Sequence, residues 1–289
     1  MDTAPVFHDA FYRFVSITDV DDTAATLREL TTALTGVLLV ASEGINGTLA
    51  GTAAALDAFH GALANDPRLA SRFSDIPVKR TACLTPPFQR MKVHSRPEIL
   101  PLGVAGINAV GHVGLQVPPA QWRALLDDPN VVVIDNRNHF EVRLGHFRNA
   151  VDPQVHNFRD FPAYIEAQLP GWQAEGKQVA MYCTGGIRCE KTSAWLHERG
   201  VPVLQLEGGI LNYFAQVPDA ERDWRGECFV FDNRIALDTQ LRETGTTAEQ
   251  VYAGDPDEAW RLRRAQQLAA AARRDQTEAA DPDATSPPS

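Results

Sequence analysis

The residues with the clearest chemical meaning lie in the segment 179–191, Val-Ala-Met-Tyr-Cys-Thr-Gly-Gly-Ile-Arg-Cys-Glu-Lys. An apolar run ends at Cys183, Arg188 follows five positions later, and a helical pattern begins between them. In the loop Thr184, Gly185, Gly186 and Ile187, the glycine pair lets the backbone wrap, so that several N–H groups converge on the Cys183 sulfur. The helix N-terminus adds partial positive charge on that side, and Arg188 adds a full one. All three favour thiolate over thiol and lower the cysteine pKa below its free value of about 8.5. A thiolate so held is a nucleophile prepared to carry a terminal sulfur or to attack an electrophile. A cysteine that only filled a core would need neither the glycine pair nor the arginine. The loop cysteine is expected to face solvent. Cys189, just inside the helix, is a candidate to resolve a persulfide or sulfenate on Cys183, with packing as the alternative. Cys83 and Cys228 sit in apolar, strand-like surroundings and read as core.

A second cluster is basic. From Lys79 to Arg96 the chain carries Lys79, Arg80, Arg90, Lys92, His94 and Arg96 and no acidic residue, within a protein of net charge -10. Bulk negative charge keeps a protein soluble, whereas phosphate binding depends on where basic groups cluster. Arg90, Lys92 and Arg96 would share one face of a strand. From charge alone this is a solvated strand face. The segment Glu43-Gly-Ile-Asn-Gly47 reads as hairpin chemistry, or as a glycine-edged platform that approaches an RNA backbone. The sequence carries no zinc, 2-His-1-carboxylate, dinucleotide or haem motif, so no cofactor is identified.

These groups need a scaffold to hold them. A chain of 289 residues, 44% of them apolar, is long enough for two modest cores. No apolar run approaches the roughly 20 residues a membrane helix needs. The first ten residues carry two aspartates and no apolar core, so no signal peptide is expected. Four cysteines at these spacings make no disulfide framework. A soluble, cytoplasmic protein is the expectation. Strand patterns at 7–17, 36–41, 48–50 and 76–83 alternate with helices at 19–35 and 53–63, with Asp19 or Asp22 as N-cap of the first. That order, βαββαβ, predicts a ferredoxin-like α+β domain over 1–102, with 88–100 as a further strand leaving it. Four glycines and two prolines between 103 and 119 mark a linker. Beyond it, apolar strands at 131–134, 178–182 and 201–206 alternate with helices at 120–126, 158–169 and 187–199. This predicts a doubly wound parallel α/β domain over 120–222. Asp135 and Arg137, at the end of its first strand, read as braces for the cysteine loop. A C-terminal extension spans 223–274, and 275–289 reads as disordered.

Cys183-x4-Arg188 after a buried strand resembles the active loop of rhodanese domains. Ile134-Asp-Asn-Arg137, then Glu141, then Gly145-His-Phe-Arg-Asn-Ala150 is similar to the rhodanese pattern of Asp, Arg, Glu and Gly-His-x-x-x-Ala. Leu206-Glu-Gly-Gly-Ile210 resembles the glycine pair that follows the last strand. The resemblance implies a structural role for His146. It also implies a sulfur-sized site, since rhodanese-fold phosphatases carry one more loop residue. The string from Tyr182 to Lys191, with Ser42-Glu-Gly-Ile-Asn-Gly-Thr48, Arg90-Met-Lys-Val93, Arg96-Pro-Glu-Ile99 and Gly226-Glu-Cys-Phe-Val-Phe-Asp-Asn-Arg234, is similar to the oxygen-dependent tRNA uridine hydroxylases. That resemblance implies conversion of the wobble uridine to 5-hydroxyuridine with molecular oxygen as co-substrate. It also implies Cys183 as the active cysteine, carrying a persulfide, and the tRNA anticodon loop as partner, with neither membrane nor DNA involved. Lys79, Arg80, Arg90, Lys92 and Arg96 then become candidate RNA contacts rather than solvated surface. Longer relatives carry extra cysteines near the C-terminus, and this chain has none after Cys228. A sulfurtransferase moving sulfane sulfur through a Cys183 persulfide is the alternative, and a non-catalytic sulfur or redox sensor a third. A plain rhodanese needs neither the N-terminal domain nor the basic strand.

Overall fold

Glycines, more than any other residue, set how closely the first strands approach one another. The computed structural model describes residues 5–112 and 114–280, the side chains of 271–280 excepted. Its first part contains β1 (Val6–Phe14), α1 (Val20–Leu30), β2 (Thr35–Ala41), β3 (Gly44–Thr52), α2 (Ala53–Asn65), β4 (Lys79–Cys83) and β5 (Met91–Ser95). The sheet order is β4-β1-β3-β2-β5, a ferredoxin-like core with one added strand. That strand, β5, does not leave the domain; it completes the sheet by pairing parallel with β2. Residues 44–47, read as turn chemistry, lie inside β3, and the turn is Ser42–Glu43. The two glycines answer to contact instead. A Cβ on Gly47 would lie 2.5 Å from the Phe11 ring, and one on Gly44 would lie 2.0 Å from the Arg13 carbonyl oxygen. Asp19 does stand at the N-cap of α1, but its carboxylate pairs with Arg72 instead of capping the helix. Leu27, Leu38, Leu49, Leu56 and Phe59 form the core between the helices and one sheet face.

The second part contains β6 (Leu115–Val117), α3 (Pro119–Asp127), β7 (Val131–Asp135), α4 (His139–Leu144), β8 (Gly145–Phe147), α5 (Phe161–Ala174), β9 (Gln178–Tyr182), α6 (Ile187–His197), β10 (Val203–Leu206) and α7 (Gly209–Gln216). Its parallel sheet has the order β6-β10-β9-β7. Val133, Ala180, Tyr182 and Leu206 join a core with Trp122 of α3 and Ile210 of α7. Ile134, Val179, Met181 and Val203 join another with Ile165 of α5 and Trp195 of α6. Alternate residues of each strand are thus buried under helices on opposite faces, as a doubly wound sheet requires. Residues 103–119 are more than a linker. Their glycines and prolines obscure Leu115–Val117, which forms the sheet's edge strand, and Ala109 is fully buried. Residues 223–245 likewise join the core: β11 (Trp224–Gly226) pairs with β8, and β12 (Cys228–Phe229) pairs with β13 (Ala236–Leu237).

Residues from 246 onward form a separate compact unit, with α8 (Ala248–Tyr252) and α9 (Ala259–Ala280). Residues 275–280, assigned by composition to the disordered tail, continue α9, because Ala, Gln and Glu are strong helix formers. The rest of that expected tail, 281–289, lies outside the described residues. Among the described residues no helix is long and apolar enough to cross a membrane.

The two domains meet along the helix-free face of the first sheet. Phe14 and Ala41 pack there with Ile99, Ala109, Ile187 and Ala194. Beside this cluster the side chain of Lys191 is 0% exposed, and its Nζ donates to both Glu43 carboxylate oxygens at 2.9 Å and to the Leu100 carbonyl at 2.7 Å. Glu98 approaches the same ammonium at 2.5 Å. A lysine buried this way ties the β2–β3 turn to α6. Lys191→Met is expected to lower stability by about 3 kcal/mol, because it strands the Glu43 carboxylate without its cation. Urea unfolding of the two proteins measures the difference, and an equal midpoint and slope would show that the tie contributes nothing.

Candidate active site

β9 delivers Cys183 to the carboxyl end of the second sheet, where the chain turns through Thr184, Gly185 and Gly186 into α6. Gly186 has φ +100°, a conformation that a residue with a Cβ strongly resists, and its N–H donates to Cys183 Sγ at 3.1 Å. The loop's own carbonyls point the other way. Those of Cys183 and Thr184 accept from the N–H groups of Ile210 and Leu211 at 3.0 and 3.2 Å. Gly209 must be glycine for this contact, since its Cβ would fall 2.4 Å from the Cys183 carbonyl oxygen.

Cys183 does not face solvent as expected; it is 1% exposed. Burial pushes its thiol up, yet four groups outweigh burial: the Cys189 thiol, the Arg188 charge and the backbone N–H groups of Cys189 and Gly186. The pKa falls to about 5. The other three cysteines move oppositely. Burial raises Cys83 to about 11 and Cys228 to about 12, and burial followed by the hydrogen bond to Cys183 raises Cys189 well above the ordinary range. The Cys189 thiol, its pKa raised, favours the Cys183 anion by hydrogen bonding to it, an interaction that the two expected roles, packing and resolving, did not include.

Arg188 is itself buried and needs an anion. Its two terminal nitrogens bind the Glu141 carboxylate at 2.7 and 2.8 Å, and one also donates to Thr184 Oγ1 at 3.3 Å. Glu141, 0% exposed, also accepts from the Asn138 N–H at 3.1 Å. Glu141 stood in the rhodanese-like pattern but was not singled out as a site residue. Asp135 and Arg137 brace the layer beneath: Arg137 binds Asp135 at 2.8 and 2.6 Å and the Gly145 carbonyl at 2.6 Å. Ile187 opens α6 and packs beside the interdomain cluster.

The candidate RNA contacts divide. Lys79 Nζ donates to the Gly185 carbonyl at 2.8 Å, so it belongs to the cysteine loop. Arg80 is taken by Asp9 and Asp57, each at 2.8 Å. Charge counting along the sequence had no means of seeing these partners. Arg90, Lys92 and Arg96 form no ion pair among the described residues, and Arg90 and Arg96 are exposed. A cleft of about 440 Å³ beside β5 is lined by Arg28, Thr31, Thr32, Lys92 and His94. Burial and then the charges of Arg96, Lys92 and Arg28 lower the His94 pKa. Sequence reading missed Arg28, which only α1 packing on β5 brings to the strand. It also missed Phe231, a residue 57% exposed whose ring is centred 6.0 Å from the Arg188 guanidinium.

Residues 8–99 match the UPF0176 acylphosphatase like domain, and residues 118–216 match the rhodanese-like domain. The chain is 47% identical over 235 residues to a tRNA uridine(34) hydroxylase of Synechococcus elongatus, spanning 80% of this chain and 85% of the relative. A protein of the same name from a second Synechococcus strain matches to the same extent. Among solved structures, a rhodanese-related protein from Thermoplasma volcanium is 20% identical, covering 36% of this chain and 93% of its own, with a TM-score of 0.26.

Ultraviolet thiolate absorbance should titrate with a midpoint of about 5 in the wild type, and this step should vanish in Cys183→Ser. Cys189→Ala should raise the midpoint by removing one donor. The sign for stability follows. A pKa depressed on folding stabilises the native state increasingly as pH rises from about 5 towards the ordinary thiol value of about 8.5. The stability gap between wild type and Cys183→Ser should therefore widen over that window, and a flat gap would contradict a folded-state thiolate.

Proposed function

The chain belongs to the tRNA uridine(34) hydroxylase family, and we propose that it hydroxylates uridine 34 of tRNA to 5-hydroxyuridine through Cys183, with molecular oxygen as co-substrate. The buried thiolate of Cys183 carries this proposal. A uracil ring is electrophilic at C6. Addition of the Cys183 sulfur there makes C5 electron-rich, and oxygen then reacts at C5 to give a hydroperoxide. A two-electron reductant takes the outer oxygen to water. Loss of the C5 proton and expulsion of the thiolate from C6 restore the ring and free the enzyme. The same donor-lined loop also suits a persulfide on Cys183. A plain sulfurtransferase would use only this loop, whereas the N-terminal domain and the identity with hydroxylases favour the tRNA reaction. A tRNA substrate implies work in the cytoplasm.

The register of the first sheet supports an RNA path to the sulfur. Lys79, Ala10, Thr48, Val37 and Lys92 form one row across five strands. Tyr12, Asn46, Leu39 and His94 form the next row on the same face. One end of these rows touches the cysteine loop, and the other is the basic edge, about 19 Å away at the usual strand spacing. An anticodon loop laid on this face sets its phosphates against Arg90, Lys92 and Arg96, with Arg28 and His94 beside them. Phe231 offers a ring on which an unpaired base stacks next to Arg188.

Complementing a strain that lacks the native enzyme tests the reaction. Cys183→Ala should leave no 5-hydroxyuridine by mass spectrometry of wobble nucleosides, and wild-type levels would refute the nucleophile. Arg188→Lys should also lose most product, because a compact ammonium does not reproduce the planar fork whose two nitrogens meet the two Glu141 oxygens separately. Replacing Arg90, Lys92 and Arg96 by glutamine should weaken tRNA binding and flatten the slope of log affinity against log salt by roughly 2 to 3. Thiosulfate-to-cyanide sulfur transfer should stay unchanged in that variant. Identical slopes would make the β5 edge ordinary surface.

A further inference from the structure

Lys79 and the Cys183 sulfur are joined through a single peptide group. Lys79 Nζ donates to the Gly185 carbonyl oxygen at 2.8 Å, and the Gly186 N–H donates to Cys183 Sγ at 3.1 Å. That carbonyl and that N–H are the two ends of one planar amide. A cation at the oxygen end polarises the unit and makes the N–H end a stronger donor, as in any chain of hydrogen bonds within a low dielectric. We propose that Lys79 is a positioning residue for the chemistry at Cys183, acting through the 185–186 peptide to stabilise the anionic sulfur. The inference rests on Cys183 being the reactive sulfur, and it makes the N-terminal domain a component of the active site.

The surroundings are built for this contact. Lys79 lies on β4 opposite Ala10 of β1, and Tyr12 stands two residues along on the same face. The Lys79 ammonium is 5.7 Å from the centre of the Tyr12 ring. The Tyr12 hydroxyl donates to Glu190 at 2.8 Å and lies 3.0 Å from where a Cβ on Gly186 would stand. Ring and loop therefore leave the ammonium little room except against the Gly185 carbonyl. The charged and titratable groups facing the sulfur are Arg188, Cys189 and Glu190 from α6, Lys79 from β4 and Tyr12 from β1. Burial lowers the Lys79 pKa, while the Cys183 and Glu190 charges favour its protonated form. Burial and Glu190 keep Tyr12 a neutral phenol. Glu190 is the one anion of this set that opposes the thiolate, and the Tyr12 hydroxyl holds it.

Thiolate absorbance, taken against each variant's own Cys183→Ser form, tests the link without tRNA. Lys79→Met should raise the Cys183 midpoint by about one unit, and Lys79→Arg should restore it. Arg222→Gln, which removes a cation whose side chain is 72% exposed, should leave the midpoint in place. An unchanged midpoint in folded Lys79→Met, or an equal rise in Arg222→Gln, would overturn the proposal. Circular dichroism establishes folding. If Lys79→Met does not fold, Lys79→Gln replaces it, and a midpoint equal to wild type there would be equally fatal. In the hydroxylation assay Lys79→Met should lower kcat and leave the tRNA KM alone. A raised KM at constant kcat would return Lys79 to the RNA contacts. Failure of the Cys183 reading itself is distinguishable, because the wild type would then show no low-pH thiolate step at all.

Discussion

A sulfur anion shut away from water has to be solvated by the protein, and much of this molecule is arranged around that need. Uncompensated charge in an interior is costly, so each charge placed near Cys183 calls for the next. The loop turns its N–H groups inward to the sulfur, which leaves its carbonyls to be met by the first turn of α7. Arg188 supplies a full positive charge and is buried in doing so, which requires Glu141. Glu141 in turn takes the Asn138 N–H at the start of α4. Gly186 and Gly209, the start of α7, the Arg188–Glu141 pair and the start of α4 are thus gathered around one side chain.

The first domain answers to the same site from outside. Its helix-covered face is an ordinary core, whereas its other face presents rows of side chains that run from the cysteine loop to a basic edge. In a chain of net charge -10 the β5 cations Arg90, Lys92 and Arg96 form no ion pair among the described residues, while Arg80 is absorbed by carboxylates. Distribution and not total charge decides what such a surface attracts. Residues 227–245 strengthen the union of the domains. Glu243 accepts from the Leu84 and Thr85 N–H groups, and Arg234 reaches Thr81 at 2.7 Å.

What was legible in the sequence was whatever depends on neighbours along the chain. The wrapping of Gly185 and Gly186, the helix beginning at Ile187 and the buried run 178–182 are local, and they stand as read. Gly44 and Gly47 misled because glycine serves both turns and close strand contact, and only the position of Phe11 and Arg13 tells which. Burial of Cys183 was illegible, since the residues that pack around it, among them Leu102, Ile134, Phe161 and Trp195, come from elements far apart along the chain. For the same reason Lys79 and Arg90 looked equivalent in a run of basic residues, although one meets a carbonyl of the active loop and the other is exposed. Leu115–Val117 was hidden by the glycines and prolines around it, which mark how the chain reaches the sheet and not whether it joins.

The 1% exposure of Cys183 bears on survival as much as on catalysis. A thiolate at neutral pH is the form most readily carried up the ladder from sulfenic to sulfinic and sulfonic acid, and the last two steps are not reversed by ordinary thiols. The hydroperoxide of the proposed reaction belongs to the class of oxidant that drives this damage. Packed among Ile134, Met181 and Trp195, the sulfur is kept from stray oxidant by the core around it, so burial protects an acidity that exposure would turn into a liability.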